Sequence, residues 1–220
     1  MEPTSRKYLF FDLDGTLTDS MPGIARAVQY ALRRFGIDVQ DLATLKPFLG
    51  PPLRDSFMEF YGMSPEEADR AVAVSREYFV PRGMFENELY PGIPELLAAT
   101  AAAGRVNVIA TSKPQPFAER IAAHFGIDRH FRLISGSTFD GRRKTKADVI
   151  RHALSALGIA PGEAVMIGDR RHDVEGAAEE GLPAIAVEWG YAPPGELEAA
   201  RPLRIVPDVE TLRRLLLRNE

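Results

Sequence analysis

The sequence predicts an α/β fold: a parallel sheet with helices on both faces, interrupted after its first strand by a small all-helical insert. Three observations predict it. Apolar runs of strand length alternate with longer segments of helical period through 86–220, the pattern of a sheet whose strands are buried on both sides. Between 20 and 85 helical signals follow one another with no strand between them. The 220 residues are 45% hydrophobic and 26% charged, a globular balance in a chain long enough for one domain with an insert, or two small domains.

The elements follow in chain order. Residues 8–11 form the first strand, closed by an Asp-Gly turn region. Ile24, Ala27, Val28, Ala31, Leu32 and Phe35 then recur at helical spacing and stop at Gly36; Ala68, Ala71, Val72, Ser75 and Phe79 make a second face that ends near Pro81. Tyr90-Pro91-Gly92 marks the return to the core, giving expected domains of 1–19 with 86–220 and an insert of 20–85. The Ala-rich stretch 97–103 favours helix. Strands are expected at 106–110, 131–134, 164–167 and 184–187, and helices at 116–124 and 145–157, the last two each followed by a glycine, Gly126 and Gly158. Ile205-Val206 and the face Leu212, Leu215, Leu216 complete the chain as a strand and a docking helix. Both edges of the insert lie near strand ends, so it is expected as a cap over the carboxyl ends of the strands, where open α/β sheets bind ligands.

Composition excludes several classes of function. With 27 basic and 31 acidic residues the net charge is −4, which offers no broad basic surface for a nucleic-acid polymer. The absence of cysteine removes disulfides, thiolate zinc sites and cysteine nucleophiles, and accords with a reducing compartment. The first residues hold no apolar run of leader or membrane-span length, so a cytoplasmic location away from membranes is expected. None of His124, His130, His152 and His172 has a second histidine at metal spacing. Phe10, Phe11 and Met166 read as core; Trp189 is expected to be buried, with the rim of the site as the alternative.

The strongest chemical signal is Phe10-Phe11-Asp12-Leu13-Asp14-Gly15-Thr16, an apolar strand that delivers two carboxylates, two residues apart, into a turn. Strand alternation would put both on one side of the backbone. One can serve as nucleophile and metal ligand while the other exchanges protons with a leaving group and then with water.

Asp12-Leu13-Asp14-Gly15-Thr16 after an apolar strand resembles the first motif of the haloacid dehalogenase superfamily of phosphohydrolases, and three further segments resemble its other motifs in order. Thr111-Ser112-Lys113 closes the strand Val108-Ile109-Ala110 and matches the second, whose hydroxyl and N–H groups bind phosphoryl oxygens. Lys146, with Lys144 as rival, matches the third, a lysine that neutralises charge on Asp12 and phosphate. Gly168-Asp169-Arg170-Arg171-His172-Asp173 matches the fourth.

The resemblance implies a Rossmann-like core with a helical cap and a Mg²⁺ site made by Asp12, the backbone carbonyl of Asp14 and Asp169, with Asp173 holding a metal-bound water or orienting Lys146. It implies a phosphatase in which Asp12, Asp14, Thr111 and Lys146 are catalytic, Thr111, Ser112 and Lys146 bind phosphate, and Gly50, Arg54 and Lys113 set substrate choice. The stretch Phe48-Leu49-Gly50-Pro51-Pro52-Leu53 together with Gly168-Asp169-Arg170 is similar to a bacterial 5′-nucleotidase-like branch, which ranks a nucleoside monophosphate above phosphoglycolate as the small phosphorylated partner. The presence of Asp14 and Asp169 disfavours a metal-free dehalogenase, and intact motifs disfavour a non-catalytic binding protein. A phosphomutase stays open, as does the oligomeric state.

Overall fold

The computed structural model describes residues 6–217. Tyr8–Phe11 forms β1, and the remaining strands of the main sheet are β4 (Val106–Pro114), β5 (Phe131–Ser137), β6 (Ala164–Gly168), β7 (Ala184–Val187) and β8 (Arg204–Val206). Their order is β5-β4-β1-β6-β7-β8, and every pairing in it is parallel. From β1 the chain builds outward through β4 and β5, then returns to the other side of β1 to add β6. That reversal leaves a crevice at the carboxyl ends of β4, β1 and β6, the place where ligands bind in open α/β sheets.

Helices cover this sheet: α4 (Ile93–Ala102), α5 (Gln115–His124), α6 (Lys146–Leu157), α7 (Arg171–Glu179), α8 (Glu196–Ala200) and α9 (Val209–Leu217). Phe10, Val108 and Met166 lie in register on three adjacent strands and pack in one cluster with Val149, Ile150 and Ala153 of α6 and Val174 and Ala177 of α7. Burying that face removes apolar surface at roughly 25 cal/mol per Å², which fixes where α6 and α7 start relative to the strand ends. The start of α6 is also fixed locally. Thr145 accepts the N–H of Asp148, and Asp148 accepts the N–H of Thr145, a reciprocal cap that sets Lys146 as the first helical residue.

The chain divides into two compact units, one of residues up to Thr18 with those from Leu89 onward, the other Asp19–Glu88. The sequence expectation had put these changes at 19/20 and 85/86. A short ladder of β2 (Thr18–Asp19) with β3 (Glu88–Leu89) joins the two chain crossings. The second unit holds α1 (Met21–Arg34), α2 (Leu53–Tyr61) and α3 (Pro65–Phe79) around a core that includes Val28, Leu32, Leu45, Phe48 and Phe57. Ser64 and Glu67 form a capping box at the start of α3.

Two local expectations are corrected. The strand β1 stops at Phe11, so strand alternation does not govern Asp12 and Asp14; only the Asp12 N–H continues the ladder, donating to the Ile167 carbonyl at 2.9 Å. Thr111 does not close β4 either. The strand runs on to Pro114 through a register shift after Thr111, which places Ser112 and Lys113 outside the regular ladder with β5. Among the described residues no helix is long and apolar enough to cross a membrane.

Candidate active site

Three parallel strands deliver the site. Asp12 follows β1, Thr111 lies in β4 and Asp169 follows β6, so neighbours in the sheet bring together residues up to about 160 positions apart in sequence. All three are buried.

The side chain of Lys146 reaches into this crevice from the first turn of α6. Its Nζ lies 2.9 Å from Asp12 Oδ1 and 2.7 Å from Asp173 Oδ1, and donates to the Ala110 carbonyl at 3.1 Å, so three donors meet three acceptors. Lys144 is exposed and its backbone N–H bonds Asp148. Lys146 is therefore the lysine that touches Asp12. Burial opposes its charge, but the carboxylates of Asp12 and Asp173 more than offset that and raise its pKa above the ordinary lysine value.

Asp169 is fixed by a tight cradle. Its Oδ2 accepts the N–H of Tyr191 at 2.8 Å and its Oδ1 accepts the hydroxyl of Thr16 at 3.3 Å. A methyl group on Gly15 would come within 2.2 Å of Asp169 Oδ2, and one on Gly190 within 2.3 Å of its Cβ, so glycine is required on both sides. Gly15 also has φ +81, a left-handed turn conformation. Asp173 is held from its other end, where Oδ2 accepts the N–H of Arg170 at 3.0 Å. The same arginine is clamped by Glu196 of α8, through Nε to Oε1 at 2.7 Å and Nη2 to Oε2 at 3.2 Å.

Asp12, Asp169 and Asp173 each offer an oxygen within 4.8 Å of the others. Burial, then the charges of Asp173 and Asp12, hold Asp169 well above the usual carboxylate range. Burial lifts Asp173 to about 6 against the pull of Lys146. A buried set of oxygen donors in which the charge of Asp12 helps to raise Asp169 and Asp173 fits a hard divalent cation, which would relieve that repulsion.

Asp14 stands apart from this cluster. Its Oδ2 lies 2.9 Å from Nζ of Lys113, both side chains well shielded from water. Its Oδ1 is buried and has no hydrogen-bond partner among the described residues. Thr111 accepts the backbone N–H of Lys113 through Oγ1 at 3.2 Å, which leaves its hydroxyl proton to donate, and Ser112 is half-buried beside it. Gly50 and Arg54 belong to the helical unit. Gly50 has φ +107 ahead of Pro51-Pro52, and Arg54 in the first turn of α2 pairs with Asp69 of α3 at 2.7 Å on an exposed face.

Sequence reasoning missed several supports. Trp189 is half-buried rather than a core residue, because its indole N–H reaches the Thr16 carbonyl at 3.1 Å and its ring meets Tyr90 edge-on. The Glu196 clamp and the Tyr191 N–H left no periodic signal, since Tyr191 lies in irregular chain and Glu196 opens a helix of only five residues. None of the four histidines contacts the carboxylate cluster through a hydrogen bond or ion pair among the described residues; His152 instead shares a hydrogen bond with Ser135.

Comparison with known proteins places these residues in a wider set. The family model described as haloacid dehalogenase-like hydrolase matches residues 9–187. A protein of Pseudomonas aeruginosa named 5′-nucleotidase is 48% identical over 208 residues, 94% of each chain. A protein of Mycobacterium tuberculosis named tyrosine-protein kinase PtkA is 44% identical over 189 residues, 85% of this chain and 64% of its own length. The crystal structure of a predicted phosphatase from Clostridium acetobutylicum superimposes with a TM-score of 0.93 at 46% identity, over 96% of this chain and 98% of that one.

Proposed function

We propose that this chain, which belongs to the haloacid dehalogenase-like hydrolase family, is a phosphatase that hydrolyses a small phosphate monoester by transient phosphorylation of Asp12. The observation that carries the reading is the arrangement around Asp12: Lys146 at 2.9 Å and two further buried carboxylates, Asp169 and Asp173, with an oxygen of each within 4.8 Å. A carboxylate held this way has one oxygen fixed by an ammonium and the other available for attack.

In the first half-reaction Asp12 attacks phosphorus as the bond to the ester oxygen breaks, and Asp14 gives that oxygen its proton. In the second, Asp14 takes a proton from water as the water oxygen attacks the phosphorus of the aspartyl ester, which returns Asp12 and releases inorganic phosphate. Thr111 donates its hydroxyl to a phosphoryl oxygen, with Ser112 beside it, and Lys146 balances the charge that phosphate brings against Asp12. Bound Mg²⁺, held by Asp12, Asp169 and the Asp14 carbonyl, would supply charge neutralisation for the phosphoryl oxygens.

The high identity to a chain named 5′-nucleotidase, along nearly the full length of both, supports a nucleoside monophosphate as the preferred ester over phosphoglycolate. The relation to a chain named tyrosine-protein kinase favours one second reading, transfer of the phosphoryl group to an acceptor other than water. A single experiment tests both. The protein is incubated with nucleoside monophosphates, phosphoglycolate and p-nitrophenyl phosphate, with Mg²⁺ or with a chelator, and separately with ATP and a tyrosine peptide. Mg²⁺-dependent release of inorganic phosphate, highest in kcat/KM for a nucleotide, is expected. Phosphopeptide in place of free phosphate would overturn the hydrolase reading, and phosphoglycolate ahead of every nucleotide would overturn the ranking alone.

A further inference from the structure

We infer that Lys113 is the positioning residue of Asp14, gripping one carboxylate oxygen so that the other is presented to the ester oxygen and then to water. The inference rests on the proposed acid–base role of Asp14 and gives Lys113 a different task from the choice of substrate expected from sequence.

The two oxygens of Asp14 differ in their surroundings. Oδ2 is 2.9 Å from Lys113 Nζ, and Oδ1, although buried, has no hydrogen-bond partner among the described residues. A buried carboxylate oxygen without a partner is costly, and it persists in a catalytic crevice when its partner arrives with substrate. Lys113 is 5% exposed at its side chain, so its ammonium is not a mobile surface charge but a fixed one. The backbone explains how it comes to be there. A residue in the regular ladder of β4 would alternate faces, whereas the register shift after Thr111 takes Ser112 and Lys113 out of the ladder, and the Lys113 N–H is tied back to Thr111 Oγ1 at 3.2 Å. The same irregularity in β4 thus presents the phosphoryl-binding hydroxyl and the lysine that holds the acid–base group.

The site then contains two lysine–aspartate pairs with separate duties. Lys146 serves the nucleophile Asp12 and the neighbouring Asp173, and Lys113 serves Asp14. Proton transfer depends on the heavy-atom distance between the carboxylate and the oxygen it serves, so an Asp14 free to rotate loses rate where the leaving group needs a proton and little where it does not. An alkoxide needs that proton. A p-nitrophenolate does not.

The test is rapid-quench measurement of leaving-group release in the first turnover, with p-nitrophenyl phosphate and with a nucleoside monophosphate, for the wild type, Lys113→Met, Lys113→Gln, Lys113→Arg and Asp14→Asn. Lys113→Met and Lys113→Gln should slow release from the nucleotide on the order of 10²-fold and release of p-nitrophenolate by less than about tenfold, with KM for both esters near wild type. Lys113→Arg, which keeps the charge, should recover much of the nucleotide rate. Asp14→Asn is the reference for the reading beneath. If it shows the leaving-group dependence and the two neutral Lys113 variants do not, the positioning role is overturned and the acid–base role of Asp14 stands. If Asp14→Asn loses both rates equally, the acid–base role falls and the role of Lys113 falls with it. A rise in KM without a change in first-turnover rate would make Lys113 a substrate-binding residue and overturn the inference.

Discussion

Lys146 and Asp12 meet at 2.9 Å although one opens a helix and the other follows a strand 134 residues earlier, and the lysine spans the further 2.7 Å to Asp173 with the same ammonium. The pair is buried, and the three carboxylates of Asp12, Asp169 and Asp173 outnumber its one ammonium.

Asp12→Asn should abolish turnover and leave the fold intact, because the amide keeps the shape but is neither a comparable nucleophile nor an anion for Lys146. Acid-quenched wild-type protein should carry phosphate on Asp12 after incubation with substrate, and the variant should carry none. Near-normal turnover in protein free of deamidation would end the mechanism.

Lys146→Ala should cost about 3–5 kcal/mol of stability together with most of the activity, since it leaves buried carboxylates without their counter-charge. Lys144→Ala should stay near the wild type in both, because Lys144 is exposed, where water screens what its side chain meets, and alanine retains the backbone N–H that bonds Asp148. Urea unfolding read by circular dichroism, alongside turnover, separates the two. Equal losses would mean that α6 is perturbed as a whole.

Removing the metal should expose the repulsion among Asp12, Asp169 and Asp173. Burial raises Asp173 to about 6 in the folded protein, so between the ordinary Asp range near ~3.9 and 6 the folded state binds a proton that the unfolded state has released. In chelator, stability should therefore fall as pH rises through that window. Mg²⁺ should restore it above pH 6 by mass action, about 2.7 kcal/mol at a hundredfold excess over Kd. Asp169→Ala should shift that Mg²⁺ dependence, in melting temperature and in activity, to higher concentration. A melting curve indifferent to Mg²⁺ at pH 7 would remove the cation from this cluster.

Trp189 should report on the same cluster optically, as the single tryptophan, bonded to the Thr16 carbonyl and next to the glycine that confines Asp169. Titration with Mg²⁺ should change its emission in the wild type and not in Asp169→Ala. An unchanged spectrum on a protein that binds Mg²⁺ by calorimetry would place the cation elsewhere.

Arg54→Ala should lower kcat/KM for a nucleoside monophosphate more than for p-nitrophenyl phosphate, with stability near wild type because the lost pair with Asp69 is exposed and screened by water. Equal losses on both esters, or none, would take Arg54 out of substrate choice.

What the sequence determined by itself was local. The strands appear where 8–11, 164–167 and 184–187 carry unbroken apolar runs, and α6 begins where Thr145 and Asp148 can cap each other, because each feature needs only residues within a few positions. The haloacid dehalogenase-like hydrolase family was legible for the same reason, since each motif is a short local string of residues at a strand or a helix start. Tertiary structure decided the rest. Lys146 was separated from Lys144 because the packed face of Val149, Ile150 and Ala153 turns the first helical residue into the crevice, whereas Lys144 lies ahead of the Thr145 cap and is exposed. The two carboxylates of Asp12-Leu13-Asp14, alike in sequence, took different lysines because one follows the ladder to β6 and the other meets an irregular turn of β4. Tyr191 and Trp189 entered the site from irregular chain and Glu196 from a helix too short to show a period, because the order β4-β1-β6-β7, and not any local preference, brings those segments beside Asp169 and Arg170.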